Sequence, residues 1–88
     1  METRVELLKA WINALRSGKY TQIRNSLRGP KGLSAMGVLH AVAHQLEMSV
    51  AESNILTVSE RLMLTKMNDE GKTFPEIADY IEKEILTR

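Results

Sequence analysis

Apolar residues recur at helical spacing along most of this chain. In residues 4–16 they form one stripe, made of Val5, Leu8, Trp11, Ile12 and Leu15. Intervals of three and four positions place these side chains on one face of a helix. Gly18 is suited to end that helix, because glycine adopts the left-handed conformation of a helix stop without steric cost. The pattern therefore predicts a first helix over residues 4–16.

Residues 33–47 predict a second helix that is apolar on most faces. Ser34 is suited to cap it, since a serine hydroxyl accepts a hydrogen bond from the free N–H groups of the first turn. A helix that is apolar nearly all round normally lies in the middle of a bundle. We therefore expect this helix to be central, with residues 48–56 as a connection.

Capping boxes mark three helix starts, at Thr3, Thr57 and Thr73. In this motif a threonine and a glutamate three positions later satisfy each other's backbone N–H groups. The box at Thr57 predicts a helix that begins at residue 58 and ends at 69 or 70. Its apolar face is expected to contain Leu62, Met63 and Met67.

The last helix is predicted after a reversal at positions 71–72. Pro75 fits its first turn, where a missing N–H costs nothing. Its apolar face is formed by Phe74, Ile77, Ala78, Ile81 and Ile85. Two helices joined so closely form an αα-hairpin. The chain is thus predicted to be one all-α domain over residues 1–88, a bundle of four or five helices that ends in this hairpin.

Residues 19–32 fit two structures. Tyr20, Ile23 and Leu27 would face inward from one short helix, and an extended segment fits them almost as well. The segment ends in Gly29, Pro30 and Gly32, which predict a turn or loop.

Composition limits the class of protein. Apolar residues make up 43% of the 88 residues and charged residues 26%, which is typical of a globular domain and unlike a disordered chain. The absence of cysteine excludes disulfides and thiolate metal sites. No apolar run reaches the roughly 18 residues of a membrane span, and the acidic first residues argue against a signal peptide. We therefore expect a soluble, cytoplasmic protein.

Charge is distributed unevenly. Residues 1–46 contain seven basic and two acidic residues, whereas residues 47–88 contain five basic and nine acidic ones. Such halves can attract each other within one molecule or between copies. One basic stretch is a candidate site for an anion or an acidic partner, through Arg16, Lys19, Tyr20, Arg24, Arg28 and Lys31. Its ligand would be a nucleic acid, a nucleotide or an acidic protein surface, although charged runs are most often plain solvated surface.

Signals of catalysis or metal binding are weak. His40 and His44 lie four positions apart, which is a bidentate spacing on a helix, and Glu47 is a conceivable third ligand. The residues between the histidines lack the glutamate of the zinc-protease motif, and histidines on an apolar helix are more often packing or surface residues. No nucleophile elbow or phosphate-binding glycine loop is present. We expect no enzymatic activity, no metal and no other cofactor.

The C-terminal hairpin, residues 56–78, resembles the first two helices of a helix-turn-helix DNA-binding domain. In that family a third helix enters the major groove. Here the chain ends at Arg88, too soon to supply that recognition helix. The last helix carries four acids that would repel phosphate, namely Glu76, Asp79, Glu82 and Glu84. Sequence-specific DNA binding is therefore not the favoured interpretation.

Three segments resemble a family of small bacteriophage and prophage proteins. They are WINALRSGKY at residues 11–20, MGVL at 36–39 and MNDEGKTFPEIADYIE at 67–82. The family reads close to W-ALRSGKY, CCLGVL and LND-GKSF-EIADYIE in the same order. This chain has Ser34 and Ala35 where many members carry paired cysteines, so it cannot share a redox or metal role of those cysteines. The resemblance implies a phage or prophage origin and a host-cytoplasmic location, without an activity.

Together these observations favour a small accessory protein that acts by binding a host or phage macromolecule, is not catalytic and self-associates. The alternative is a nucleic-acid or nucleotide binder that uses the basic segment at 16–31.

Overall fold

The structure, a computed structural model, describes residues 3–24, 28–29, 32–49 and 55–87. The described residues form four helices, which are α1 (Thr3–Arg16), α2 (Ala35–Gln45), α3 (Val58–Asp69) and α4 (Phe74–Tyr80). Between α1 and α2, two strands of two residues each pair antiparallel, β1 (Arg28–Gly29) with β2 (Gly32–Leu33). The predicted all-α class is confirmed.

The helices α2, α3 and α4 begin where their capping residues predicted. The Ser34 hydroxyl accepts a hydrogen bond from the Gly37 N–H at 3.2 Å and caps α2. Thr57 and Thr73 both form the predicted capping boxes with the glutamates three residues later. Helix α1 begins at Thr3, whose side chain lies outside the described part of the structure.

Packing of the four helices closes a ring. Helix α1 packs against α2 and α4, and α3 packs against the same two neighbours. The expectation that α2 is the central helix is therefore wrong. Its apolar side faces the core, but His40, His44 and Gln45 lie exposed on the other side. Burial of an imidazole or amide group without a hydrogen-bond partner costs free energy, so these side chains remain in water.

One hydrophobic core fills the ring. Its fully buried large side chains include Leu7, Leu8, Trp11, Leu15, Leu39, Ile55, Leu64, Ile77, Ile81 and Ile85. Trp11 is buried completely, and its indole N–H donates a hydrogen bond of 3.0 Å to the Ala35 carbonyl. This bond pairs a polar group that would be costly to bury alone, and it fixes α1 against the start of α2.

Residues 21–23 adopt the extended alternative of the two that the sequence allowed. The Ile23 N–H donates to the Leu33 carbonyl at 3.0 Å, and the Leu33 N–H donates to the Thr21 carbonyl at 2.9 Å. Gly32 permits this close approach, because a Cβ at that position would lie 2.2 Å from the Thr21 oxygen. Leu27, the third predicted inward residue, lies outside the described residues.

Asn68 connects three parts of the chain from inside the core, with only 1% of its surface exposed. Its Oδ1 accepts hydrogen bonds from the Ala35 N–H at 3.1 Å and from Gln22 Nε2 at 2.8 Å. Its Nδ2 donates to the Ile23 carbonyl at 2.8 Å. One side chain of α3 thereby holds the start of α2 and the extended 21–23 segment.

The chain ends with a change of helix type that the sequence did not predict. Helix α4 continues as a π-helical segment, Ile81–Ile85, in which the Leu86 N–H donates to the Ile81 carbonyl at 2.8 Å. Arg4 of α1 holds this segment, since its Nη2 donates to the Ile85 carbonyl at 2.6 Å and its Nε to the Ile55 carbonyl at 3.3 Å. The two ends of the described chain are therefore tied together.

None of the helices in the described ranges has both the length and the apolar character required to cross a bilayer.

Candidate binding surfaces

Arg16, the first residue of the predicted basic site, is already paired within the chain. Its Nη2 donates to Asp79 Oδ1 at 2.6 Å and to Glu82 Oε1 at 3.0 Å. The hydrogen bonds to Glu82 and then to Asp79 raise the pKa of Arg16 above its usual range. This pairing is the attraction between the two halves that the charge distribution predicted, and it leaves Arg16 less available to an external anion.

The other members of the predicted basic site are only partly brought together. Lys19 and Tyr20 line one groove, and Arg24 is exposed. Arg28 is part of β1 but its side chain is outside the described structure, and Lys31 lies outside the described residues altogether. The structure thus groups Lys19 with Tyr20, and the anion-binding role of the whole set stays a prediction.

The groove beside Lys19 lies between the last turns of α1 and α2 and has a volume of about 300 Å³. Its lining is formed by Ala10, Asn13, Ala14, Ser17, Lys19, Tyr20, Val42, Gln45 and Leu46. Among these residues the Lys19 ammonium is the one charged group. The C-terminal ends of helices carry partial negative charge, which opposes the attraction of an anion to this lysine. The groove therefore has the size for a side chain but no clear preference for charge.

Helix α3 presents apolar side chains to solvent. Val58 is 74% exposed, Leu62 64% and Met63 44%, so the prediction that Leu62 and Met63 face the core is wrong. The fully buried positions are Leu64 and Asn68, and Met67, the third predicted residue, is half-buried against the core. An apolar pattern could not reveal this face, because the residue one turn after Leu64 on the buried side is a polar asparagine.

We call Val58, Leu62 and Met63 the α3 outer face. The first two are one helical turn apart and lie on the same side of the helix, and Met63 lies about 100° further around it. Single exposed apolar residues are ordinary on a protein surface. Three large exposed apolar side chains on one short helix form a candidate surface for an apolar partner.

His40 and His44 are exposed on α2. Of the two ordinary roles that the sequence allowed, they are therefore surface residues and not packing residues. Glu47 does not complete a site with them, since the described residues contain no group of three or more histidine, cysteine or acidic side chains placed to hold a metal. The backbone explains this. Glu47 follows the end of α2 with φ 56°, so the chain has already left the helical path that would carry its carboxylate onto the histidine face.

The hairpin that resembles a helix-turn-helix is present as α3 and α4, which pack against each other. Glu76, Asp79, Glu82 and Glu84 are all exposed on the last helix and its π-helical continuation. Their carboxylates would repel a phosphate backbone. This surface is therefore better suited to holding Arg16 than to contacting DNA.

Residues 1–50 match the sequence profile of a family described as Domain of unknown function (DUF8296). The chain belongs to this family. The DUF8296 match spans α1, the two strands and α2, whereas residues 67–82, the longest segment of the phage-protein resemblance, lie beyond it. The description assigns DUF8296 no activity and names no source. Searches among curated proteins and among solved structures gave no significant match.

Proposed function

We propose that this DUF8296 protein is a non-catalytic binding protein and that its α3 outer face binds a protein partner. The observation that carries the proposal is the exposure of Val58, Leu62 and Met63 on a helix whose opposite side is buried. A partner that covers such side chains removes apolar surface from water, which stabilises the complex by about 25 cal/mol per Å² of buried area. Methionine adds adaptability, because its flexible thioether fills irregular gaps.

The α3 outer face is held in a fixed conformation, which favours binding. Helix α3 is capped at its start by the box between Thr57 and Glu60. It is anchored underneath by Leu64 and by the hydrogen bonds of Asn68. A surface that is already ordered loses little conformational entropy when a partner binds.

A bacteriophage origin and self-association are further parts of this proposal. The first rests on the three segments that resemble small phage proteins, and it is tested by the neighbouring genes, because phage genes cluster by task. The second rests on the unequal charge of the two halves, part of which is used within the molecule by Arg16. A measured solution mass in metal-free buffer tests it.

Partner binding is tested by affinity capture with three forms of the protein as bait. They are the natural chain, the double variant Leu62→Gln with Met63→Gln, and the control Lys9→Gln at an exposed position of α1. We expect the natural chain and the control to capture the same protein and the double variant to lose it, with all three equally helical by circular dichroism. A partner retained by the double variant would refute the role of the α3 outer face.

The alternative, nucleic-acid or nucleotide binding, is favoured by the exposure of Lys19 and Arg24, neither of which forms an ion pair with a described residue. Such binding would weaken steeply with salt and would be abolished by charge reversal at Arg24 and Arg28. Binding that ignores salt, or no binding, would remove this alternative.

A further inference from the structure

The outer side of α2 carries two histidines in a geometry that binds metals. His40 and His44 are both exposed, and no hydrogen bond or ion pair to a described residue involves either imidazole. Residues four apart on a helix have Cβ atoms about 6 Å from each other on one face. Two imidazoles at this spacing can reach one ion at the Zn–N distance of about 2.1 Å.

Local electrostatics favour a cation at this position. His44 lies in the last turn of α2, where the aligned backbone carbonyls give the helix end a partial negative charge. Glu47 adds an exposed carboxylate beyond the helix end. The same partial charge that argues against an anion in the groove beside Lys19 therefore supports a metal ion here.

The histidine pair provides fewer ligands than a zinc site normally has. Zinc held by protein side chains normally takes four ligands in a tetrahedral arrangement. The histidine pair supplies two, and within the described ranges no third histidine, cysteine or acidic residue joins them. We propose that His40 and His44 form half of a zinc site, and that the same pair from a second copy of this chain completes it.

Two-fold symmetry would produce a site of four histidines from two copies of the pair. A two-fold axis presents the same surface on both copies, so one pair of ligands becomes four. Ala41, which lies between the histidines in sequence, has a small side chain that allows a second helix to approach. The site is on α2 and does not involve the α3 outer face. The experiments can therefore refute partner binding by α3 and zinc binding by α2 independently of each other.

The test is the solution mass and zinc stoichiometry of the full, tag-free chain, titrated with ZnCl₂ at about pH 8 because imidazole binds metals in its neutral form. We expect zinc to double the mass that the chain has in metal-free buffer, with one zinc ion bound for every two chains. Addition of EDTA should reverse both changes. A mass that does not respond to zinc, or one zinc ion per chain at the mass of a monomer, would overturn the proposal.

Two variants separate a specific site from general zinc binding. Replacing both histidines, His40→Gln with His44→Gln, should abolish the response to zinc. The variant His44→Gln with Gln45→His keeps two histidines but turns the second away from the first, since each residue advances the helix by about 100°; it should also lose the response. Zinc-dependent dimers of either variant would show that the pair is not the site.

Discussion

Glu47 is the one described residue other than glycine with a left-handed backbone, at φ 56°. It occupies the helix-stop position after α2 that Gly18 and Gly71 occupy after α1 and α3, with φ 78° and 106°. There the Glu47 N–H donates to the His44 carbonyl at 3.1 Å and the Met48 N–H to the Ala43 carbonyl at 2.8 Å. The left-handed conformation costs a residue with a Cβ about 1–2 kcal/mol.

We therefore expect Glu47→Gly to raise the free energy of unfolding by about 0.5–1 kcal/mol, since the greater freedom of glycine in the unfolded chain offsets part of the relief. Urea denaturation measures the change. Glu47→Ala is the matched control, because it removes the same carboxylate but keeps the Cβ and the strain. An equal gain in the alanine variant would assign the effect to charge instead of backbone conformation.

At the scale of elements, the capping box at the start of α4 makes the stability of the fold depend on pH. Hydrogen bonds from the backbone N–H and then from the hydroxyl of Thr73 lower the pKa of Glu76 in the folded protein. A carboxylate whose folded pKa is lowered stabilises the fold above its unfolded pKa, and this contribution is lost as the pH falls through the folded pKa. Acid should therefore weaken the start of the last helix.

The variant Glu76→Gln tests this link, because glutamine can still accept a hydrogen bond but does not titrate. We expect the natural chain to be the more stable at pH 7, and the difference in unfolding free energy to shrink as the pH falls below the usual glutamate pKa and through the lowered pKa of Glu76. Urea denaturation at several pH values gives the comparison. Glu84→Gln, which removes another exposed carboxylate from the same end of the chain, controls for net charge. A difference that stayed constant with pH would contradict the assignment.

At the scale of the whole molecule, Asn68 joins α3 to α2 and to the extended 21–23 segment. Asn68→Leu keeps the volume of the side chain but leaves the Ala35 N–H and the Ile23 carbonyl without their partner. Each unsatisfied buried group costs about 1–3 kcal/mol. We expect a loss of about 3 kcal/mol in unfolding free energy, measured by urea denaturation.

Asn13→Leu is the matched control for Asn68, since it makes the same substitution at an exposed position of α1. Exposed substitutions usually change stability by no more than about 0.5 kcal/mol. If both variants lost the same small amount, the hydrogen bonds of Asn68 would not be holding the three parts together.

The sequence by itself determined which residues cap α2, α3 and α4, and which residues fill most of the core. Ser34, Thr57 and Thr73 each cap a helix through hydrogen bonds with the residue three positions later. The face of the last helix, from Phe74 to Ile85, is buried as its spacing predicted. These features could be predicted because capping bonds and helical periodicity depend on residues within one or two turns of each other.

Only the tertiary structure decided which surfaces remain for binding. Four features depend on where another helix lies. They are the burial of Asn68, the exposure of Leu62, the pairing of Arg16 with Asp79 and the exposure of the two histidines. The partners of Arg16 and Asn68 are tens of positions away in the chain. Local pattern cannot specify such contacts, because they arise when several amphipathic helices compete to bury their faces in one core.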